Sequence, residues 1–229
     1  MADLPKLVCT CDAGASGARL LVEALGSVDS ERGGARLAIP GGSALRALGA
    51  ARAQLGSTWS RVLLTWVDER CVPFADTDSN RGAAYRSGAL DEREPPADLL
   101  PLFEDGERVE EALERVEAAL DSRFGGALDV VLLGLGEDGH VASLFPGTPE
   151  SANACVAFVR SSPKPPAQRV TLTRRMLATA RRTILVATGE PKRLALERLL
   201  AADPSLPATG LPNLFIVTDL DLAQRGVRR

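Results

Sequence analysis

Short apolar runs alternate along this chain with longer stretches in which apolar residues recur every three or four positions. Ala35–Ile39, Arg61–Val67, Leu128–Leu133, Thr183–Ala187 and Leu214–Val217 are runs of the first kind, rich in Val, Leu and Ile. Runs this short, bounded by glycine, proline or acidic residues, predict buried strands. Glu107–Phe124 is of the second kind, with Val109, Leu113, Val116 and Leu120 on one face, and it predicts an amphipathic helix. The Ala- and Leu-rich stretches Ala44–Leu55 and Arg193–Ala201 predict two more. Strands alternating with helices indicate parallel βαβ units. Residues 68–104 and 141–172 have weaker periodicity and predict excursions or a small lobe beside the main sheet. The proline-bearing stretches Arg93–Pro96 and Ser162–Pro166 read as surface loops. With no internal repeat and no low-complexity tail beyond the basic end Arg225–Arg229, the expectation is one α/β domain over residues 1–229.

Composition narrows the function classes. A net charge of −3 gives no overall attraction for nucleic acid or an anionic membrane surface, so an anionic ligand would need local arginines and lysines. The chain shows no signal peptide at its start, and no apolar run approaches the ~20 residues of a membrane helix. Cys9, Cys11, Cys71 and Cys155 include one C-x-C but no second pair at zinc-ligand spacing. They read as free thiols in a reducing cytoplasm. The expectation is therefore a cytoplasmic protein with a small-molecule partner, no metal and no cofactor, acting as a monomer or small homo-oligomer.

Four features fall at the predicted carboxyl ends of four strands: Gly41-Gly42-Ser43, Asp68-Glu69-Arg70, the turn Asp138-Gly139-His140, and Gly189 to Lys192. In a parallel sheet those ends share one edge, where open α/β folds bind ligands. His140 is the only histidine of the chain, and histidine titrates near neutrality and suits proton transfer. A solvent-exposed loop histidine is the competing reading. Asp138 orients that imidazole or ties the turn to backbone N–H groups. Gly41, Gly42 and Ser43, before a helix, fit a phosphate cradle or mere turn chemistry. Arg70 suits a bidentate phosphate contact, against a surface ion pair with Asp68 or Glu69. Lys192, a cation in a first helical turn, opposes the helix dipole unless an anion lies nearby. Arg169 is a weaker candidate for the same cleft. No G-x-S-x-G elbow, Walker A loop or dinucleotide G-x-G-x-x-G is present.

The stretch Gly134-Leu-Gly-Glu-Asp-Gly-His-Val-Ala-Ser-Leu-Phe-Pro-Gly147 resembles the signature of the 6-phosphogluconolactonase family. So do Trp66-Val-Asp-Glu-Arg-Cys-Val-Pro73 and Asp78-Ser-Asn80, and Gly41–Ser43, Arg169 and Gly189-x-x-Lys192 follow in the family's order. The resemblance spans roughly residues 35 to 217. It implies a Rossmann-like three-layer α/β/α sandwich shared with glucosamine-6-phosphate deaminase and ribose-5-phosphate isomerase. It also implies hydrolysis of a phosphosugar lactone, with His140 and Asp138 catalytic. Gly41, Gly42, Ser43, Asp68, Arg70, Asn80, Gly139, Arg169 and Lys192 would bind the substrate. Turn N–H groups around Gly136 to Gly139 are expected to stabilise the oxyanion. Deaminases share the Asp-Gly-His core but place an acidic residue after it, where this chain continues Val141-Ala-Ser-Leu-Phe145. One departure is Gly41-Gly-Ser-Ala-Leu45 where lactonases often read Gly-Gly-Ser-Thr-Pro. A phosphosugar isomerase or deaminase on the same fold and a non-catalytic phosphosugar sensor are the alternatives.

Overall fold

The computed structural model describes residues 4–148 and 153–222. In chain order its elements are β1 (Lys6–Cys9), α1 (Ala13–Arg32), β2 (Ala35–Ile39), α2 (Leu45–Leu55), β3 (Val62–Trp66), β4 (Asp68–Arg70), α3 (Asn80–Arg86) and β5 (Asp98–Leu100). They continue with α4 (Val109–Ser122), β6 (Val130–Leu133), β7 (Val156–Val159), β8 (Arg169–Leu172), α5 (Arg174–Leu177), β9 (Arg182–Val186), α6 (Arg193–Leu200) and β10 (Leu214–Thr218). Each apolar run of the sequence is a strand, displaced by at most two residues at either end. The helix predicted at Glu107–Phe124 is α4.

Seven strands form one sheet in the order β1-β10-β9-β6-β2-β3-β5, and every pairing in it is parallel. From β1 the chain jumps to β2 and steps outward to β3 and β5. It then returns to β6 and steps the other way to β9 and β10. Right-handed crossovers put helices of outward steps on one face and those of return steps on the other. α1 and α2 accordingly pack together, and the result is the expected three-layer α/β/α sandwich. Covered on both faces, the central strands are predominantly apolar, and all four residues of β6, Val-Val-Leu-Leu, are buried.

β1 and α1 correspond to no predicted element. Helix α1 is built from small residues, and the smallness has a packing reason. A Cβ on Gly17 would lie 2.9 Å from Val186 Cγ2 in β9 and 3.1 Å from Ala47 Cβ in α2. The helix therefore lies close against both sheet and neighbour, with Leu21, Leu25 and Val28 reaching inward.

The weakly periodic segments resolve into a second sheet of three antiparallel strands, β4-β8-β7. It joins the first where Leu172 N donates to Val67 O at 2.8 Å. Residues 68–104 also supply β5, the outermost strand of the main sheet. Glu117 of α4 secures the far side, its carboxylate accepting from Cys155 N at 3.0 Å and Val156 N at 3.1 Å. No helix among the described residues is long and apolar enough to cross a membrane.

At the amino edge of the main sheet the buried Asp129 holds three strands in register. One carboxylate oxygen accepts from Arg36 N at 2.9 Å and the other from Arg32 Nη1 at 2.5 Å. Its own carbonyl accepts from Arg181 N and Arg182 N. Replacing Asp129 by Ala strands the partly buried backbone donor of Arg36, a loss of ~1–3 kcal/mol. Urea unfolding of Asp129→Ala should show a stability lowered by about 2 kcal/mol with an unchanged denaturant slope.

Candidate active site

Strands β2 and β6 lie side by side, yet the chain leaves them in opposite directions. A crevice opens at such a reversal because the two following loops diverge. The loop after β2 is Pro40-Gly41-Gly42-Ser43 and the loop after β6 is Gly134 to His140. β3 and β9 flank this pair and contribute Asp68 and Arg70 on one side and Lys192 on the other. A cleft of about 260 Å³ forms there, lined by all of these segments and by Asn80, Ala142, Lys164 and Arg169. Four strand ends placed on one edge by the sequence pattern thus meet in one cavity.

The turn after β6 is built around its histidine. Gly139 takes φ +91, and a Cβ there would run into Leu206 Cδ2 at 2.5 Å. A Cβ on Gly136 would fall 1.9 Å from His140 Nδ1, so only glycine admits the imidazole. Asp138 Oδ1 lies 2.5 Å from His140 Nδ1 and 3.4 Å from its backbone nitrogen. The two roles considered for Asp138, orienting the ring and tying the turn, are both performed. The opposite side of the ring rests on Phe145, centroids 4.9 Å apart. His140 is largely covered, its side chain 16% exposed, so it is not a free loop histidine. Burial pushes its pKa below the ordinary value, the hydrogen bond and charge of Asp138 pull the other way, and the Lys164 ammonium adds to the lowering. Partial burial works against the Asp138 carboxylate, but His140 outweighs it and holds that pKa below the usual range. With an ionised Asp138 on Nδ1, the proton of the neutral ring sits there and Nε2 keeps a lone pair.

The wall formed by β3 and β4 is a buried polar network. Asp68 accepts from Asn80 Nδ2 at 3.1 Å and from Ser143 Oγ at 2.7 Å. Asn80 Oδ1 presses on Gly41, where a Cβ would lie 1.9 Å away. Glu69 faces away from the cleft and caps α3, accepting from Asn80 N at 2.7 Å and Arg81 N at 2.6 Å. Burial raises its carboxyl pKa. Arg70 pairs with neither Asp68 nor Glu69. Its Nη1 donates to Asp78 O at 2.6 Å, and its buried Nε has no partner among the described residues. Lys192 likewise makes no ion pair among them, and it ends a tight turn, Glu190–Lys192, ahead of α6.

Three expectations need correction. Gly139 is not on the cleft surface. It shapes the turn from behind, because its φ and its contact with Leu206 face the protein interior. Of the turn N–H groups expected to face an oxyanion, those of Gly136 and Gly139 are taken: Gly136 N donates to His140 O at 2.8 Å and Gly139 N to Gly136 O at 3.0 Å. The proline-rich stretch Ser162–Pro166 is not simply a surface loop, since its Lys164 lines the cleft with Nζ 3.6 Å from Asp138 Oδ1. Arg169 explains how that loop arrives. It is buried, donating Nε to Pro166 O at 3.0 Å and Nη2 to Lys164 O and Pro165 O at 2.9 and 3.1 Å. Its Nη1 reaches Ser143 Oγ at 3.3 Å. It faces the cleft with little donor capacity left. Among the described residues no cluster of three or more His, Cys, Asp or Glu is placed to hold a metal.

Residues 12–215 match the family model described as glucosamine-6-phosphate isomerases/6-phosphogluconolactonase. The 6-phosphogluconolactonase of Rattus norvegicus is 39% identical over 208 residues, covering 85% of this chain and 80% of that protein. The 6-phosphogluconolactonase of Caulobacter vibrioides is 34% identical over 204 residues, covering 85% of both. Among solved structures, the 6-phosphogluconolactonase of Trypanosoma brucei superposes with a TM-score of 0.77 at 26% identity, over 94% of this chain and 97% of that one.

A single histidine makes the electrostatics directly measurable, because one imidazole signal appears in a proton NMR titration. Its midpoint should lie below the ordinary ~6.5, as burial disfavours the charged ring. In Asp138→Asn the stabilising anion is gone, so the midpoint should fall further. A midpoint at or above 6.5 in the unaltered protein, or a rise in the variant, contradicts this account.

Proposed function

This chain belongs to the glucosamine-6-phosphate isomerase/6-phosphogluconolactonase family, and from that membership and the site we infer that it hydrolyses 6-phospho-D-glucono-1,5-lactone to 6-phospho-D-gluconate. That reaction follows the oxidation of glucose 6-phosphate in the pentose phosphate pathway. The observation that carries the reading is the meeting, in one cleft, of an oriented neutral imidazole with a cationic, glycine-lined pocket suited to a phosphate.

A lactone is already an activated ester, so attack by water suffices and no covalent nucleophile is required. His140 Nε2 takes a proton from a water attacking C1, while Asp138 on Nδ1 stabilises the imidazolium that forms. That imidazolium then protonates the ring oxygen as the C1–O bond breaks. Such acid–base help is worth ~10²–10⁴-fold. The phosphate sits between Arg70, Lys192 and the Gly41–Ser43 loop. Gly42 at φ +71 turns that loop into the cleft, and the unpartnered Arg70 Nε and Lys192 ammonium gain an anion. Asn80 and Asp68 hold the wall against which the sugar lies, and Arg169 adds positive charge behind it. Remote anchoring of this kind positions the reacting carbon.

Hydrolysis and deamination differ in the titratable groups they need. Deamination requires proton transfer between C1 and C2 and an acid-assisted ring opening. Here Leu144 and Phe145 stand where a deaminase has a further acid, and apolar side chains relay no protons. One preparation offered both substrates should hydrolyse the lactone and release no ammonia from glucosamine 6-phosphate. Ammonia at a comparable rate overturns the reading.

His140→Ala should lower kcat by ~10²-fold or more while leaving binding of 6-phosphogluconate largely intact. Near-normal kcat removes the histidine from the mechanism. Arg70→Ala and Lys192→Ala should chiefly raise KM, and unphosphorylated gluconolactone should be a far poorer substrate. Equal kcat/KM for the two lactones excludes the phosphate anchor.

A further inference from the structure

The reaction builds negative charge on the carbonyl oxygen at C1, and that charge needs a donor beside His140. The candidates are few. The N–H groups of Gly136 and Gly139 close the turn on itself. Arg169 holds loop carbonyls and Ser143. Lys192 stands on the loop after β9 and Arg70 at the end of β4, where both suit the phosphate. The remaining cation in the cleft is Lys164, 3.6 Å from the Asp138 oxygen that itself contacts His140 Nδ1.

We propose that Lys164 is a catalytic residue whose ammonium faces the C1 oxygen and stabilises the tetrahedral oxyanion. The proposal rests on the lactonase reading above. As the water oxygen bonds to C1, its proton goes to His140 Nε2 and the carbonyl electron pair moves onto the C1 oxygen, beside Lys164 Nζ. When the carbonyl re-forms, the C1–ring-oxygen bond breaks and the ring oxygen takes the imidazolium proton. The product acid then ionises, and its carboxylate meets the same ammonium.

Two features favour this placement over a chance surface lysine. First, the backbone around Lys164 is fixed from within. The Arg169 guanidinium is buried and binds three successive carbonyls, those of Lys164, Pro165 and Pro166. Lys164 N also donates to Ser162 Oγ at 3.2 Å and Ser162 N to Ala167 O at 2.8 Å. An arginine buried beside Arg70, with its pKa lowered by burial and by that neighbour against the opposing pull of Asp68 and Asp78, is a costly strut for a loop with no task. Second, Lys164 is half-exposed, with a side chain 44% accessible, so the ammonium can swing from Asp138 toward an oxygen formed above the ring. Preorganised donors of this kind are worth ~10²–10³ in kcat.

The groups whose charge reaches His140 are Asp138 on its own turn, Asp68 at the start of β4 and Lys164 on the loop before β8. Removing the Lys164 cation therefore raises the histidine pKa and moves the acidic limb of kcat/KM to higher pH. Wild type, Lys164→Met and Lys164→Arg are to be compared on 6-phosphogluconolactone from pH 5 to 8, with the His140 NMR signal followed in each. The expected result for Lys164→Met is a kcat about 10²-fold lower, KM within a few-fold of wild type and an acidic limb displaced upward. Lys164→Arg should recover most of the rate and the original limb. A Lys164→Met kcat within threefold of wild type, or a rise in KM at unchanged kcat, overturns the proposal and leaves the lactonase reading standing. Failure of wild type to hydrolyse the lactone overturns both.

Discussion

The carboxylate of Asp68 is almost wholly withdrawn from water, and a buried anion must have its oxygens satisfied. Its donors come from far along the chain: Asn80 from the start of α3 and Ser143 from the segment after the histidine turn. Arg169 Nη1 adds a longer contact at 3.9 Å. Satisfying one side chain thus joins the start of β4, the first turn of α3, the Val141–Phe145 segment and β8. The second sheet is docked on the first by this node and by the bond from Leu172 N to Val67 O. The cleft exists because that docking puts a wall beside the crevice between β2 and β6.

The positive charges of the site divide by what holds them. Arg169 is enclosed and engaged, and serves as scaffolding. Arg70, Lys192 and Lys164 keep donors free or weakly engaged and stand at separate points around the cavity. Gathering four cations in one cleft of a chain with net charge −3 sets them against one another; burial lowers the pKa of Arg169, and the neighbouring Arg70 adds to that lowering. An anionic ligand relieves that repulsion, so the cleft and its proposed substrate are electrostatically complementary.

Much of the architecture is legible in the sequence for a simple reason. Strands covered on both faces are apolar along most of their length, and the runs at 35–39, 61–67, 128–133, 183–187 and 214–217 show it without reference to anything distant. The features at their carboxyl ends then share an edge by the geometry of a parallel sheet. Helix α1 is hidden because its close approach to β9 and α2 demands Gly17 and other small residues, which dilutes the amphipathic signal. Strands β4, β7 and β8 are three or four residues long; β4 owes its conformation to an antiparallel partner about a hundred residues away, Thr171 opposite Asp68, and β7 and β8 pair across a loop, Val159 opposite Arg169. No local pattern marks a pairing of that kind.

At the site the same boundary appears residue by residue. The sequence by itself determined the residue types and their edge: one histidine in a glycine turn, an acid two residues before it, and cations after neighbouring strands. Those follow from periodicity and spacing, which are local. Only the tertiary structure decided what each group is free to do. It turned the N–H groups of Gly136 and Gly139 inward, placed Gly139 behind the turn and committed Arg169 to the carbonyls of residues 164–166. It also brought Lys164 from a proline-rich loop to within 3.6 Å of Asp138. Whether a donor is available depends on every neighbour that competes for it, and those neighbours are assembled only when the chain has folded.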